Sequence, residues 1–319
     1  MDRTCDRSTW INRRQMLRVV GGTPALLSVQ RVVAYQSQGA GASDARSKFI
    51  NVNGVKLHYL EWGSQQNPPM VLLHPAPLNA HVWDAFGPAI ARHFFVVAPD
   101  ARGFGESQWA KYDGDVFVED LEAIVKTLGL KRVTLCGNSM GGTLAFSYAA
   151  LHPGSVERLI VVDTGPGEKP GSAKPPAPSA GARTGGPPPL PPGPFSSAED
   201  AAAKIPRVFG PAFVKAMTEH NLKRDSNGTW RWKHDFEGTA PAYDRSVRDP
   251  RKWGFWTSIQ CPTLVLRGEN SPAWTQAAAE QMVSENGKAT LVVVPNAGHF
   301  VPIEQPVGFE AAVRKWLTL

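Results

Sequence analysis

The sequence contains few cysteines, and their surroundings exclude several kinds of site. Three cysteines occur in 319 residues, and Cys5 lies in the arginine-rich N-terminal segment. Cys136 and Cys261 stand in the apolar runs VTLCG and CPTLVL, where cysteine usually serves as a small buried side chain. Two such cysteines make no disulfide framework, and no cluster of cysteine and histidine has the spacing of a zinc site. We therefore expect no disulfide scaffold and no bound metal.

Long apolar runs and strong net charge are also missing from most of the chain. No stretch approaches the ~18 continuous apolar residues of a membrane span, so we expect no membrane-spanning segment. The formal charge is +6, but residues 1–46 hold seven arginines against three aspartates, which accounts for four of those charges. The nearly neutral remainder offers no electrostatic reason to expect a nucleic-acid partner.

The N-terminal segment has the pattern of an export signal. Arg13 and Arg14 precede a weakly apolar stretch rich in small residues, which ends at a small-residue site near Ala34. This pattern resembles a twin-arginine signal, which implies a periplasmic protein. Because Arg31 interrupts the apolar region, a disordered basic tail on a cytoplasmic protein is the alternative. Both interpretations exclude residues 1–46 from the fold.

The order of apolar runs predicts the fold class. KFINVNGVKLHYLEW is two alternating runs joined by Asn53-Gly54, the strongest short signal for a β-hairpin. Short continuous runs of Val, Ile and Leu follow, as expected of parallel strands covered on both faces. Between them lie helical periods, near residues 80–92, 115–128, 140–152, 273–286 and 306–318. This alternation predicts an α/β fold with a mostly parallel, doubly wound sheet over residues 47–164 and 258–319.

Two segments interrupt the alternation. Residues 165–194 include 11 prolines and 7 glycines, so we expect a disordered or extended linker. Residues 195–257 have the pattern of short helices with several tryptophans. Among these, Trp230 and Trp232 fit either the wall of an acyl pocket or the core face of a strand. An insertion here would lie over the carboxyl edge of the sheet, where open α/β sheets place their sites, so we interpret it as a helical lid.

A candidate nucleophile lies in TLCGNSMGGTL. Residues 137–141, GNSMG, fit G-x-S-x-G between a strand and a helix, the context in which the motif is informative. Glycines are needed around Ser139 because larger side chains would collide with adjacent backbone. The alternative is an ordinary glycine-rich turn with a solvated serine. A nucleophilic serine needs a base, and His299, on a loop after the last apolar strand, is the histidine best placed for that role.

These pieces together resemble the α/β-hydrolase superfamily over about residues 48–319. HPAP after the third strand, APDARGFGES after the fourth, GNSMG and AGHFVPIEQP carry the likeness, and the lid with CPTLVLRGEN resembles lidded bacterial esterases and lipases. The resemblance implies an oxyanion hole formed by the backbone N–H groups of Ala76 and Met140. At position 75 the family usually has glycine. Pro75 is not itself the expected donor, but its fixed φ is able to turn the Ala76 N–H away from the oxyanion.

The acid of the triad is the second departure from the family. The resemblance places an aspartate a few residues after Gly268, where this chain has Ser271 and Pro272. Asp163, at the end of the sixth strand, stands where some family members carry the acid, and Glu269 directly follows Gly268. We favour Asp163, because Glu269 is too close to its strand to turn toward the histidine. A site with no acid is the third possibility.

The resulting expectation is a cofactor-independent serine hydrolase that cleaves an ester or similar acyl bond of a small molecule. Ser139, His299 and Asp163 are the candidate catalytic residues. GNSMGG also resembles the elbow of carbon–carbon bond hydrolases of ring-cleavage products, which makes that activity an alternative. A ligand-binding pseudohydrolase is another, motivated by the missing acid and by Pro75. Epoxide hydrolases and haloalkane dehalogenases of this fold use an aspartate nucleophile, and the serine argues against both.

Overall fold

The computed structural model describes residues 44–113, 115–167, 169 and 189–319. Residues 1–43 of the predicted N-terminal export segment, which spans residues 1–46, lie outside them, as do residues 168 and 170–188 of the predicted linker. The first strand begins at Arg46, so the fold starts one residue earlier than the sequence predicts. Within the described ranges, no helix is both long and apolar enough to cross a membrane.

In the part of the chain that the structure describes, eight strands form one sheet and two more pair separately. The strands are β1 (Arg46–Val52), β2 (Val55–Trp62), β3 (Pro69–Leu73), β4 (Phe95–Pro99), β5 (Val133–Asn138), β6 (Val156–Val162), β7 (Leu222–Arg224), β8 (Trp230–Trp232), β9 (Thr263–Gly268) and β10 (Ala289–Val294). The large sheet has the order β1-β2-β4-β3-β5-β6-β9-β10. β2 is antiparallel to β1 and β4, and the other neighbours are parallel. The predicted α/β fold with a mostly parallel sheet is confirmed.

The turn between β1 and β2 has the predicted hairpin chemistry. Val52 pairs with Val55, and Asn53 and Gly54 between them have φ values of 49° and 74°. Two successive left-handed residues give the turn a twist that matches the twist of the flanking strands. Asn-Gly accommodates both conformations at little steric cost.

Helices lie between the strands at the predicted places. They are α1 (Phe86–Ile90), α2 (Val116–Thr127), α3 (Met140–Leu151), α4 (Ala198–Lys204), α5 (Pro211–His220), α6 (Phe236–Arg248), α7 (Lys252–Ser258), α8 (Gln276–Ser284), α9 (Val301–Glu304) and α10 (Pro306–Leu317). The single helix predicted at 80–92 is divided, and a 3-10 turn at Ala80–Trp83 precedes α1. Pro88 explains the break, because it lacks the N–H that a continuous helix would bond to the Asp84 carbonyl.

Alternate residues of the central strands enter two separate apolar layers. On β3, Met70 and Leu72 pack into one cluster, whereas Val71 and Leu73 pack into the other. All four side chains are buried. Burial on both faces is the reason that these strands are continuous apolar runs rather than alternating ones. Cys136 on β5 is buried as well, and this burial raises the pKa of its thiol.

The segment between β6 and β9 is an insertion that contains α4 to α7 and also the β7–β8 pair, so it is not wholly helical. Phe195 and Trp232 are buried there with ring centroids 4.9 Å apart, and Trp232 Nε1 donates to the Pro191 carbonyl at 2.7 Å. Trp230 packs against the same apolar cluster. The two tryptophans therefore belong to the core of the insertion. A function of the insertion as a lid stays a prediction.

Candidate active site

Ser139 occupies a sharp turn between β5 and α3. Its φ of 54° and ψ of −116° lie in a region that L-residues with side chains rarely adopt. The turn is held on both sides, since the Ser139 N–H donates to the Val162 carbonyl and its own carbonyl accepts from the Thr143 N–H, each at 2.9 Å. This is the strained strand-to-helix turn that G-x-S-x-G predicts.

Close backbone approaches require the glycines around Ser139. A Cβ on Gly137 would lie 2.1 Å from the Gly141 carbonyl oxygen. A Cβ on Gly141 would lie 2.2 Å from the Leu73 carbonyl oxygen and 2.8 Å from that of His74. Real Cβ atoms do not make such contacts, so the expected collision with backbone is confirmed. The same approach brings the start of α3 directly against the loop that follows β3.

His74 holds the loop after β3 in place. It is buried, its Nδ1–H donates to the Pro75 carbonyl at 3.1 Å, and its Nε2 accepts from the Ala101 N–H at 3.0 Å. Burial lowers the pKa of His74 by more than the neighbouring Asp100 charge raises it. The ring is therefore neutral at pH 7, which is the form able to donate from one nitrogen and accept at the other.

The two predicted oxyanion donors come from elements that meet at this point. Ala76 lies in the loop after β3, and Met140 is the first residue of α3, whose second residue packs on that loop. Neither amide makes a backbone hydrogen bond within the described ranges. Pro75 does not leave the loop unsupported, because its carbonyl is bound by His74.

The Asp163 carboxylate, at the end of β6, contacts His299. Asp163 Oδ2 lies 2.7 Å from His299 Nδ1 and also accepts from Ser271 Oγ at 2.5 Å, while Oδ1 accepts from the Gly268 N–H at 3.0 Å. The carboxylate is buried. Because an ionised carboxylate only accepts hydrogen bonds, its contact assigns the imidazole proton to Nδ1 and leaves the lone pair on Nε2.

Glu269, the other candidate acid, points elsewhere. Its side chain is exposed, and Oε2 accepts from the Asn296 N–H at 2.9 Å. The structure thus brings Asp163, and not Glu269, to His299. Ser271, which stands where the family resemblance places an aspartate, instead hydrogen-bonds Asp163.

Two residues that the sequence analysis did not single out hold the loop of His299. Asn138 Nδ2 donates to the His299 carbonyl at 3.1 Å, which ties that loop to the residue preceding the serine. Glu304 accepts from the N–H groups of Gly298 and Phe300, one on each side of the histidine. The sequence contained a signal for each of these residues. One was an amide side chain inside the elbow motif, and the other was a glutamate five residues after the histidine in GHFVPIE.

Tyr243 on α6 is a third residue that no motif marks. Burial raises the pKa of Tyr243, and a hydrogen bond with the Ser139 hydroxyl offsets part of that rise. The phenol is therefore protonated at neutral pH. The side chain is still 38% exposed. α6 of the insertion thus reaches the reactive edge of the sheet.

A cavity of about 440 Å³ opens beside Met140, between α2, α3 and α6. Phe117, Leu144 and Ala242 supply apolar wall, and Arg245 is one of the charged residues at its edge. This volume and mixed lining are in the range of small-molecule sites.

Comparison with known proteins places the chain in a family. A family model for the alpha/beta hydrolase fold matches residues 68–306. The soluble epoxide hydrolase of Corynebacterium sp. (strain C12) is 29% identical over 80% of this chain and 91% of its own length. The 2-hydroxy-6-oxo-6-(2'-aminophenyl)hexa-2,4-dienoic acid hydrolase of Metapseudomonas resinovorans is 26% identical over 85% of this chain and 90% of its own. The crystal structure of E-2-(acetamidomethylene)succinate hydrolase, at 20% identity, has the same fold with a TM-score of 0.70 over 86% of this chain and all of its own. The chain therefore belongs to the α/β-hydrolase family and is a hydrolase of that fold.

Proposed function

We propose that this hydrolase cleaves an ester or a related acyl bond through an acyl-enzyme intermediate on Ser139. The observation that carries the proposal is the 2.7 Å contact between His299 Nδ1 and Asp163 Oδ2. A proton on Nδ1 leaves Nε2 as the base, and a serine hydroxyl is a weak nucleophile until a base takes its proton. Asn138 supports the assignment, because it binds the loop of the base to the serine elbow.

In the first half of the reaction, His299 Nε2 accepts the Ser139 proton while Oγ attacks the carbonyl carbon. The N–H groups of Ala76 and Met140 hold the resulting oxyanion. Collapse of this intermediate breaks the bond to the leaving group, which takes the proton from His299. A water molecule then gives a proton to His299, attacks the acyl carbon and releases the acid, and the proton returns to Ser139. Asp163 stabilises the imidazolium in both halves.

The cavity beside Met140 supports a small-molecule acyl substrate. Its volume of about 440 Å³ suits a small acyl or alcohol group, and Met140, the residue after Ser139, is part of its lining. Nothing in the scheme requires a metal or a cofactor.

Labelling with a fluorophosphonate probe tests the proposal, since only an activated serine reacts readily. We expect label on Ser139 in the wild type, and no label and at least ~10³-fold lower kcat on p-nitrophenyl esters in Ser139→Ala. Ser284→Ala, at an exposed serine of α8, is the matched control and should retain both. A folded wild-type protein that neither labels nor turns over would instead be the ligand-binding pseudohydrolase.

Carbon–carbon bond hydrolysis is the second candidate activity, favoured by the similarity to the Metapseudomonas resinovorans hydrolase of a 2-hydroxy-6-oxo-dienoic acid. A panel of aryl esters and vinylogous diketones distinguishes the two, and the class with the higher kcat/KM decides. Epoxide opening, the reaction of the Corynebacterium relative, fits this chain less well. Attack by Ser139 on an epoxide would leave an ether, which offers no carbonyl carbon to water.

We also propose that residues 1–46 direct export by a twin-arginine route, a proposal supported by Arg13 and Arg14 and the small-residue site after them. Replacing both arginines with lysine should keep the precursor in the cytoplasm with its N-terminus intact. Unchanged processing would reject the route.

A further inference from the structure

Three side chains that ligate metals in other proteins meet on the surface, outside the candidate active site. His81 lies in the 3-10 turn after β3, Asp84 directly follows that turn, and His220 ends α5 of the insertion. One ligand atom of each lies within 4.8 Å of the others. The side chains are 31%, 42% and 33% exposed, so an ion reaches them from solvent without a rearrangement of the backbone.

The distances are close to those of a coordinated ion. Asp84 Oδ2 accepts a hydrogen bond from His81 Nδ1 at 2.9 Å and lies 3.9 Å from His220 Nε2. Ligand atoms that each stand ~2.0–2.1 Å from one tetrahedral Zn²⁺ are about 3.3 Å apart, a separation between these two values. The imidazole rings are stacked, with centroids 4.0 Å apart and planes at 12°. Because each lone pair lies in its ring plane, the rings must open away from each other on binding, which side-chain rotation of half-exposed residues permits.

The backbone that carries the three residues is already held together. Asn79 Nδ2 donates to the His220 carbonyl at 3.0 Å, and Asn79 Oδ1 accepts from the His81 N–H at 3.1 Å. The core and the insertion are therefore joined here before any ion binds.

We propose that His81, Asp84 and His220 bind a divalent transition-metal ion of the Zn²⁺ or Ni²⁺ type, which fastens the insertion to the core. Two imidazoles and one carboxylate suit such ions, whereas Mg²⁺ and Ca²⁺ prefer oxygen ligands. Water completes the coordination, and Glu219 Oε2, 3.9 Å from His220 Nε2, is a nearby fourth donor. The sequence predicts no metal site because it has no closely spaced cysteine and histidine ligands, whereas these three ligands are brought together only by the fold. None of the three residues belongs to the proposed catalytic set, so the metal proposal does not rest on the proposed serine chemistry.

Titration of the tag-free, metal-stripped protein with ZnCl₂, NiCl₂ and MgCl₂ by calorimetry and thermal melting tests the proposal without an activity assay. We expect one Zn²⁺ per chain, a Tm rise of roughly 5 °C at a hundredfold excess over Kd, and no response to Mg²⁺. His81→Ala and His220→Ala should weaken binding at least tenfold. His93→Ala, at a half-buried histidine outside the cluster, should bind like the wild type. Affinity should fall from pH 7.5 to pH 5.5, because protons compete for the imidazoles.

Wild-type protein that binds no Zn²⁺ at millimolar concentration overturns the proposal, and so does stoichiometric binding that survives both histidine variants. If either variant fails to fold, Asp84→Asn replaces it, since that side chain is exposed and its loss removes a ligand without a cavity. Wild-type affinity in a folded Asp84→Asn protein would likewise overturn the three-ligand site.

Discussion

A carboxylate directly follows each of the strands β6 and β9, yet only one of the two enters the candidate site. Asp163 and Glu269 each directly follow a strand, and the two strands are parallel neighbours. The Asp163 carboxylate is buried and accepts from three donors, of which one is His299. Glu269 is exposed and accepts from the Asn296 N–H.

Backbone geometry explains the difference. Asp163 has a φ of 49°, and this left-handed conformation turns its side chain toward β9, where the Gly268 N–H meets Oδ1. β9 itself approaches the loop of His299 so closely that a Cβ on Gly268 would lie 2.0 Å from the Gly298 carbonyl oxygen. Glu269 follows this crowded position, and its carboxylate lies at the surface, where it accepts from the Asn296 N–H. β6, the neighbouring strand, therefore supplies the carboxylate that contacts His299.

Among the substitutions that test this comparison, Asp163→Asn should cause the largest loss of activity. An amide at this position would hold the imidazole in the wrong tautomer, so kcat on an aryl ester should fall ~10³- to 10⁴-fold with the fold retained. The low-field proton resonance of His299 Nδ1–H should disappear from the NMR spectrum, a change that a merely structural role would not cause. Added to Ser139→Ala, the substitution should cost almost nothing further, because residues that act as a unit are not additive.

Much of the site is readable from sequence, which favours Asp163 as the acid but does not exclude the alternatives. Ser139 and His299 stand in motifs, and a parallel sheet brings the loops after its strands to one edge. The φ of a residue just past a strand is not encoded in its neighbours, so Glu269 and a site with no acid remained alternatives to the favoured Asp163. Asn138 and Glu304 escaped notice because their partners are backbone groups of a loop, whose path only the complete fold determines.

In the fold, too, one part is predictable from sequence and another is not. The eight-stranded sheet follows from apolar runs whose pattern reflects burial on two faces. The β7–β8 pair does not, because its three-residue strands are too short for a periodic signal and are stabilised by packing of Trp232 on Phe195. Local sequence pattern therefore predicts the eight-stranded sheet, whereas long-range contacts determine the structure of the insertion.

Glu304→Ala, which affects the contact between His299 and the Asp163 carboxylate after β6, should cause the second largest loss of activity. Its carboxylate binds the N–H groups on both sides of His299, so its loss lets the imidazole drift from Asp163. A displacement near 1 Å costs up to about 10²-fold, and we expect kcat to fall about 10- to 100-fold. Glu310→Ala, which removes a carboxylate bound to Arg314 at 2.7 Å on α10, is the matched control and should stay near wild type. Lower Tm with unchanged kcat in Glu304→Ala would assign it to stability alone.

Ser271→Ala should have a smaller effect. Asp163 Oδ2 loses one donor but keeps His299, and Oδ1 keeps the Gly268 N–H, so we expect a three- to tenfold fall in kcat with KM nearly constant. Ser271→Thr retains the hydroxyl and should restore most of the rate. Equal losses in both variants would mean that the shape of the loop matters rather than the hydrogen bond.

Glu269→Gln should change least, within about twofold of wild-type kcat. Its side chain is exposed, and glutamine keeps an oxygen able to accept from the Asn296 N–H, so only a solvated charge is lost. Asp163→Asn and Glu269→Gln form a matched pair, because each exchanges a carboxylate for its amide at the end of neighbouring parallel strands. Collapse of turnover in Glu269→Gln with near-normal rates in Asp163→Asn would reverse the assignment of the acid. If neither variant loses activity, His299 works without a carboxylate partner, and the geometry at the end of β6 serves the fold rather than the reaction.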